Sequence, residues 1–456
     1  MASPDRRMYA YIDYEDPYVH PLILATLKAR LPTEMLVLIN SLSELPTTNG
    51  TLLQWRQYES IDFEHLLANS RTSQANSYII RKALIRKHYL SNTISHWLAK
   101  HPDSILRDHV KGGVEFEVDY AEFLDDALVE AWELKESWAR NACLKDGAER
   151  EWWILKPGMS ERGQGIRLFS SEADLTAIFE GWDPESDDED EGDDDAARHS
   201  SEADDGRVSG TQSLAGGHLR DSGNDNDSDN GIMTSQLRHF IAQPYIHPPL
   251  LLSPPHPCAG RKFHIRTYVV AVGALKVYVY KSMLALFAGK DYTTPSTHTD
   301  ANSEESLGRH LTNTCLQSGE RDGSVVAFWD LPSTLVDLTP DWQHQAFAQI
   351  CSITAETFEA AARTMGIHFQ ALPNAFEIFG LDFLVDGNGT PWLLEVNAFP
   401  DFRQTGEELR GLIEGLMAGV VDVAVRPFFV AEEEEKEERG DKGDMVQALS
   451  LDLGRR

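Results

Sequence analysis

Two carboxylates and one amide in the C-terminal half of the sequence have the types and spacing to bind a metal ion. Glu395 and Asn397 are two residues apart in the apolar run 392–400, and Asp382 lies in the preceding apolar run 376–386. Side chains alternate along a strand, so Glu395 and Asn397 share one face. Carboxylate and amide oxygens are ligands for Mg²⁺, which keeps other positions for water and phosphate.

The two runs predict an antiparallel hairpin that would bring the third donor to the other two. An Asp/Gly/Asn turn, 386–389, joins them. With this loop Val385 opposes Thr390 and Asp382 opposes Leu393, which places all three donors on one face. A bulge or a three-residue loop would break this register. The alternative, an amphipathic strand with a solvated polar face, stays open on the residues alone.

A second group of residues has the chemistry of a phosphate-binding loop. In WWILKPGMSERGQGIRL, Lys156 ends a predicted strand and Arg162, Gly163 and Gly165 follow. Glycines let backbone N–H groups approach phosphate, while lysine and arginine supply positive charge. A plain turn is the alternative. Downstream, the strand ending Gln243-Pro244-Tyr245-Ile246 could offer a carbonyl and an N–H to an adenine edge.

Further cations lie in apolar surroundings. Lys262 and Arg266 in GRKFHIRTYVVAV are four residues apart and so lie on the same side of a strand. Charges on an otherwise apolar strand need an anionic partner. Lys281 ends the run YVYK, and Thr312 and Asn313 belong to RHLTNTC. A surface lysine and a capping Thr/Asn are the alternatives here.

The elements that must position these residues have α/β character. Residues 8–40 read as two short strands around a helix, and 76–100 and 118–140 show helical spacing. Residues 151–169 predict strand, glycine loop and strand, with a helix over 170–182. The longest apolar run, 268–280, is too short for a membrane helix and contains Lys276.

The composition is that of a globular protein with two strongly acidic segments. The chain has 456 residues, is 41% hydrophobic and 25% charged, and has a net charge of −32. Residues 184–230 account for −13 of this charge and residues 432–444 for −5. The first segment is predicted to be a disordered insert and the second to begin a mobile tail. So acidic a chain is a poor candidate for direct nucleic-acid binding.

Four widely spaced cysteines without a CxxC pair argue against a zinc site or a disulfide framework. They fit a reducing compartment. The N-terminal residues lack the basic and apolar regions of a signal peptide. We therefore expect a cytoplasmic protein.

The order of the motifs carries a family resemblance from about Arg81 to about Val421. The order resembles that of the tubulin–tyrosine ligase family of ATP-grasp enzymes. The motifs, in chain order, are Lys82 in IIRKALIRK, then KPG..RGQGI, QPYI, GRKFHIR, YVYK, HLTN, GLDFLVD and LLEVN. The resemblance implies an α/β ATP-grasp fold, in which two α+β subdomains clasp ATP. By this resemblance, residues 1–75 form a small N-terminal α/β domain, 76–250 the central subdomain with the insert 184–231, 251–430 the C-terminal subdomain, and 431–456 the tail.

The resemblance also implies roles for individual residues. Those implied to bind ATP are Lys82, Lys156, Arg162, Gly163, Gly165, Ile166, Gln243, Tyr245, Ile246, Lys262, His264, Thr312 and Asn313. Arg266 and Lys281 match positions that bind the reacting carboxylates and the incoming amino acid. Asp382, Glu395 and Asn397 match the magnesium ligands.

Three positions depart from the usual family pattern. His264 stands where an aspartate is usual, Pro244 where a basic residue is common, and Lys281 where an arginine is common. Proline loses an N–H, and lysine cannot reproduce a bidentate clamp.

The implied activity is ATP- and Mg²⁺-dependent ligation of a free amino acid, tyrosine in this interpretation, to the C-terminal tail of α-tubulin. A glutamate or glycine ligase of the same family is one alternative. The other is an ATP-binding scaffold with little turnover, because some fungal relatives associate with RNA-processing bodies. The complete set of metal donors favours an enzyme, whereas His264 and the acidic surface favour the scaffold.

Overall fold

The fold is seen in a computed structural model that describes residues 7–145, 148–158, 163–182, 237–297, 301–312, 324–335, 338–406, 408–430 and 444–453. The predicted insert 184–231 and the first residues of the predicted tail lie outside the described residues. Among those that are described, no helix is both long and apolar enough to cross a membrane.

The first sheet is parallel and lies near the N-terminus. Its strand order is β2-β1-β3-β4. The strands are β1 (Met8–Asp13), β2 (Leu36–Ile39), β3 (Leu52–Arg56) and β4 (Ser73–Ala75). Helix α1 (His20–Arg30) connects β1 to β2, which confirms the predicted strand–helix–strand pattern of residues 8–40.

The second sheet, of four antiparallel strands, has the order β5-β8-β6-β7. Its strands are β5 (Val114–Glu117), β6 (Trp153–Pro157), β7 (Arg167–Phe169) and β8 (His239–Pro244). The strand–loop–strand prediction for residues 151–169 is confirmed, because β6 pairs with β7. A capping box between Ser171 and Asp174 starts the helix that follows.

The third sheet is the largest and forms the centre of the molecule. Strand β9 pairs with β10, β11 and β13, and β13 pairs in turn with β14. The strands are β9 (Arg261–Val272), β10 (Lys276–Tyr280), β11 (Leu284–Asp291), β12 (Val325–Ala327), β13 (Phe376–Val385), β14 (Pro391–Ala398) and β15 (Met445–Ser450). The predicted hairpin is thus present as β13 and β14.

Helices cover the sheets. The remaining helices are α2 (Phe63–Ala68), α3 (Lys82–Ile85), α4 (Lys87–Lys100), α5 (Leu106–His109), α6 (Leu124–Ala127), α7 (Trp132–Ala142), α8 (Glu172–Glu180), α9 (Glu304–His310), α10 (Trp342–Thr364), α11 (Arg410–Val420) and α12 (Arg426–Phe429). The helical spacing over 76–100 produces α3 and α4 only. Residues 118–140 form α6 and most of α7 with a break between them, not one helix.

One face of β9 changes its environment along the strand. Tyr268 and Val270 are fully buried in the core shared with the first sheet, and the Tyr268 ring stacks on Phe402 with centroids 5.4 Å apart. Lys262, His264 and Arg266 continue the same alternation towards the other end of the strand. The hydrophobic half therefore anchors the strand that carries the charged half.

The prediction of a mobile tail after the acidic run is wrong for residues 444–453, the part of the tail that the structure describes. Met445–Ser450 forms β15, which pairs antiparallel with β10. Met445 is buried in the same core as Tyr268, and a Cβ on Gly419 would come within 2.5 Å of the Met445 side chain. Glycine at 419 therefore makes room for this strand. The sequence analysis missed β15 because the acidic residues 432–444 that precede it dominate the composition of this region.

We expect Met445→Ala to lower the free energy of unfolding by about 2 kcal/mol, because it empties part of a packed core. Val446→Ala is the matched control, since Val446 is 39% exposed. Thermal and urea unfolding of the full chain measure both. Equal midpoints for the two variants would mean that β15 is not docked in solution.

Candidate functional site

The hairpin loop is one residue longer than predicted. Val385 pairs with Pro391, not with Thr390, and the backbone N–H of Asp386 donates to the Thr390 carbonyl at 3.0 Å. Asp386 stabilises the turn, because its side chain accepts hydrogen bonds from the N–H groups of Asn388 and Thr390. Taken alone, this shift would move the side chains of β14 to the opposite face.

A β-bulge in β14 corrects the shift. Phe383 pairs with Leu393 and Asp382 pairs with Glu395, which leaves Leu394 as the extra residue. The predicted pairing of Asp382 with Leu393 is therefore wrong. The longer loop and the bulge each shift the pairing by one residue, so the total shift is two residues. Because side chains alternate with a period of two, Asp382 and Glu395 still lie on one face.

The three predicted metal donors are brought together. Asn397 Nδ2 donates to Asp382 Oδ2 and to Glu395 Oε1, each at 3.2 Å. Two carboxylates and one amide do not complete a coordination shell, and within the described residues no group of three or more His, Cys, Asp or Glu could hold a metal. The donor set fits Mg²⁺ whose remaining ligands are phosphate oxygens and water.

Each carboxylate of this group faces a cation. Arg266 lies directly opposite Asp382 on the neighbouring strand and donates from Nε at 2.5 Å and from Nη2 at 3.1 Å. Lys87 Nζ lies 3.3 Å from Glu395 Oε2. Burial tends to raise the pKa of Glu395, but Lys87 and Lys156 outweigh it and hold this pKa well below its usual range. Glu395 is thus held in its charged form, which binds cations.

His264 joins the site from the middle of β9. Its Nδ1 is 2.6 Å from Thr312 Oγ1, and its Nε2 is 3.6 Å from Asp382 Oδ1. Burial lowers the pKa of His264, and the nearby Arg266 and Lys262 lower it further against the opposing pull of Asp382. The ring is therefore neutral at physiological pH.

Two buried lysines line the same cleft. Lys156 Nζ donates to Gln243 Oε1, and Lys262 Nζ donates to the Tyr245 hydroxyl, both at 2.9 Å. Burial lowers the pKa of Lys156 to about 8 and, together with the charge of Lys156, that of Lys262 to about 7. Among the described residues, no carboxylate is bonded to the ammonium group of either lysine, so the pair is suited to an anionic ligand.

The segment 243–246 forms one wall of the cleft. The backbone N–H of Tyr245 donates to the Trp152 carbonyl at 2.8 Å, which leaves Ile246 as the main-chain donor of this segment. Pro244 has no N–H but keeps its carbonyl. The predicted pair of backbone groups for an adenine edge is therefore Pro244 C=O and Ile246 N–H.

The glycine loop is described from Gly163 onwards. Gly163 and Gly165 have φ angles of 80° and 71°, which side chains rarely adopt. A Cβ at Gly165 would also lie 2.6 Å from the Pro157 ring. Ile166 follows and lines the cleft. Arg162 and Asn313, two predicted ATP-binding residues, lie outside the described residues.

Six predicted residues that the structure describes are not in the cleft lining. Gly163 and Gly165 belong to the glycine loop, Arg266 and Asn397 contact the lining residue Asp382, and Lys82 and Lys281 lie away from the cleft. Lys82 is exposed at the start of α3, and Lys281 is exposed beyond β10, with Nζ 5.8 Å from the Trp329 ring. Lys87, five residues after Lys82, reaches Glu395 instead. Sequence reasoning missed Lys87, although it lies in the same basic run, IIRKALIRKH, because helix geometry decides which lysine faces the site.

The cleft lies between the second and third sheets. The predicted residues that line it are Lys156, Ile166, Gln243, Tyr245, Ile246, Lys262, His264, Thr312, Asp382 and Glu395.

Comparison with known proteins agrees with this arrangement. The family model described as the tubulin-tyrosine ligase family matches residues 67–433. A probable tubulin–tyrosine ligase of Schizosaccharomyces pombe is 43% identical over 434 residues, which are 94% of each chain. The probable tubulin–tyrosine ligase PBY1 of Saccharomyces cerevisiae is 41% identical over 90% of this chain and 51% of its own length.

A solved structure supports the fold as well. The crystal structure of the C-terminal domain of K. lactis Pby1, an ATP-grasp enzyme that interacts with the mRNA decapping enzyme Dcp2, matches with a TM-score of 0.67. The two are 34% identical, and the match covers 98% of this chain and 99% of that one. The ATP-grasp fold predicted from the order of the motifs is confirmed.

When a polyphosphate binds in the cleft near pH 8, the lysines of the protein should take up protons. The pKa values of Lys156 and Lys262 are about 8 and about 7, and bound phosphate raises both, so we expect uptake of roughly one proton. The uptake should vanish below pH 6, where both lysines are already charged. Calorimetry of Mg-ATP binding in buffers of different ionisation enthalpy measures it.

Lys262→Met should reduce this uptake, whereas Lys276→Met, which changes an exposed lysine, should not. Identical heats in all buffers for the unchanged protein would contradict the assignment of the two lysines to the phosphates.

Proposed function

This chain belongs to the tubulin-tyrosine ligase family, and we propose that it is an ATP- and Mg²⁺-dependent ligase that joins a carboxylate to an amine. The observation that carries the proposal is the meeting, in one cleft, of buried lysines 156 and 262 with the oxygen donors of Asp382, Glu395 and Asn397. Such a site combines cations for a polyphosphate with hard ligands for the metal that accompanies it.

The metal would be held by Asp382, Glu395 and Asn397, and when bound it would neutralise charge on the phosphates. Lys156 and Lys262 hold the phosphate chain, and Lys87 orients Glu395. The adenine lies against the segment 243–246. The protein thus contributes mainly positioning and charge compensation.

The proposed reaction has two steps. A carboxylate oxygen of the acceptor attacks the γ-phosphorus of ATP, the bond from this phosphorus to the bridging oxygen breaks, and ADP leaves. The amine of the incoming amino acid then attacks the acyl carbon of the resulting acyl phosphate. Inorganic phosphate leaves, the amine loses a proton, and an amide bond remains.

Arg266 is suited to orient a reacting carboxylate. The Nε and Nη2 groups of Arg266 donate to Asp382. A guanidinium has five N–H donors, so further N–H groups of Arg266 can donate to the substrate. The Asp382 carboxylate also fixes the plane of the guanidinium. A fixed fork favours a planar carboxylate in one orientation.

The names of the relatives support tyrosine as the amino acid and tubulin as the acceptor. The S. pombe and S. cerevisiae proteins are named probable tubulin–tyrosine ligases. The probable tubulin polyglutamylase TTLL9 of Rattus norvegicus is 25% identical over 56% of this chain, which keeps glutamate as the alternative amino acid. Tubulin as the acceptor implies a cytoplasmic site of action.

A second candidate function is that of a nucleotide-binding scaffold in mRNA decapping. It is favoured by two observations: Lys281 lies outside the cleft, and the solved relative Pby1 interacts with Dcp2. A scaffold would bind Mg-ATP in the same cleft without forming an amide. Incorporation of an amino acid decides between the two.

The deciding experiment is incubation with tubulin, Mg-ATP and each labelled amino acid in turn. We expect label from tyrosine in the α-tubulin C-terminus, with a loss of at least about a hundredfold in rate for Glu395→Gln, because a metal-binding charge is removed. Glu34→Gln, an exposed carboxylate in the N-terminal part, is the control. Tight Mg-ATP binding with no labelled product would establish the scaffold.

Lys281→Ala should change the KM for the amino acid by less than about twofold, because surface side chains outside a site contribute little. Initial rates over a range of amino-acid concentrations measure it. A rise of tenfold or more, with ATP binding unchanged, would restore the carboxylate-binding role that the family pattern implies.

A further inference from the structure

The exposed aromatic side chains are concentrated in one segment of the second sheet's lobe. Among the described residues, the large aromatic side chains classed as exposed are Tyr120 (48%), Phe123 (47%) and Trp132 (65%). Val129, also exposed, lies between them in sequence. A cluster of exposed aromatic residues within thirteen positions is typical of an interaction surface.

These side chains are not displaced core residues. The inward positions of the same segment are filled by Leu124, Leu128, Ala131 and Leu134, all buried in the core of the second sheet. The break between α6 and α7 turns Trp132 outwards. The segment therefore fills the core with one group of apolar side chains and exposes a second group, Tyr120, Phe123, Val129 and Trp132. We call this second group the outward set.

Carboxylates are interspersed with the outward set along the sequence. Two of them, Glu117 and Asp119, pair with Arg238. Residues 117–136 contain eight acidic residues and one basic residue, Lys135. We call these residues the acidic aromatic surface. Its carboxylates are Glu117, Asp119, Glu122, Asp125, Asp126, Glu130, Glu133 and Glu136. Their potential attracts a positively charged partner and repels an acidic one.

Lys135 shows the chemistry that this surface accepts. Its Nζ lies 5.8 Å from the centre of the Trp132 ring and donates to the Val129 carbonyl at 3.2 Å. An ammonium therefore rests beside an exposed aromatic ring in an acidic field. A guanidinium or ammonium from a partner has the same interaction available at the other rings.

A groove continues the surface along α7. Glu133 and Glu136 line a groove next to α4, whose other charged residues are Glu149, Glu151, Lys111, Arg140 and Arg150. Its apolar lining includes Ile94, Leu98 and Val114. The groove therefore offers apolar positions to a segment whose cations lie over the carboxylates of residues 117–136.

We propose that the acidic aromatic surface and this groove bind a protein segment in which lysine or arginine alternates with large apolar residues. The carboxylates supply charge complementarity and Trp132, Phe123 and Tyr120 the apolar anchors. The acidic tail of tubulin does not fit it. The three aromatic anchors lie outside the nucleotide cleft, whereas the groove borders the cleft and shares Lys111, Pro244 and Tyr245 with its lining.

The test measures fluorescence anisotropy of a short labelled peptide of arginine, lysine and leucine against the full-length protein. We expect binding that weakens as salt rises. A peptide with glutamate at the basic positions should not bind, and one with serine at the leucine positions should bind at least about tenfold more weakly.

Two matched pairs of variants locate the site. Phe123→Ala with Trp132→Ala should weaken binding at least about tenfold, while Leu67→Ala with Ile367→Ala, exposed elsewhere, should not. Glu122→Lys with Glu130→Lys should weaken it more than Glu34→Lys with Glu64→Lys, which makes the same change in net charge at other exposed sites.

Equal effects of the two charge-reversal pairs would overturn the proposal, since binding would then reflect net charge alone. Unchanged binding by the Phe123/Trp132 variant would overturn it as well. So would a concentration-dependent dimer, seen by light scattering and abolished in that variant, because the surface would then be occupied by a second copy of the chain. Circular dichroism checks that each variant is folded.

Discussion

The buried ion pair between Arg266 and Asp382 is the interaction on which the site depends. The two residues face each other across β9 and β13, so the register of the central sheet sets their contact. Breaking a buried pair by removing one partner typically costs about 3–5 kcal/mol. This pair in turn fixes the carboxylate against which Asn397 and His264 are arranged. A shift in the central sheet would therefore disturb the metal donors together with the charged residues of β9.

Charge in the cleft is balanced only in part by the protein. Asp382 and Glu395 have Arg266 and Lys87 as partners, whereas Lys156 and Lys262 donate to neutral oxygens. Burying an ammonium without an anion is unfavourable, which is why the pKa of each of these two lysines is lowered. A polyphosphate restores the balance. The lowered pKa values of these two lysines therefore favour the binding of an anionic ligand.

The cleft and the outer surface of the protein carry charges of opposite sign. The cleft gathers three lysines, 111, 156 and 262. The chain as a whole has a net charge of −32, and the acidic aromatic surface has one lysine among eight carboxylates. An anionic acceptor must therefore approach an anionic molecule to reach a cationic site. A basic partner has no such barrier on the outer surface. The two partners proposed here, an anionic acceptor and a basic segment, are therefore assigned to different parts of the molecule.

The fold and most of the cleft could be predicted from the amino-acid sequence, because each motif is local and their order is specific. Strand alternation, which needs only neighbouring residues, indicated that Asp382, Glu395 and Asn397 share a face. The tertiary structure was needed for the register, in which a longer loop and a bulge at Leu394 together shift the pairing by two residues, because backbone pairing depends on both strands. It also decided that Lys87, not Lys82, reaches Glu395, and that Met445–Ser450 completes the central sheet. Those contacts join residues far apart in sequence, and no local pattern records them.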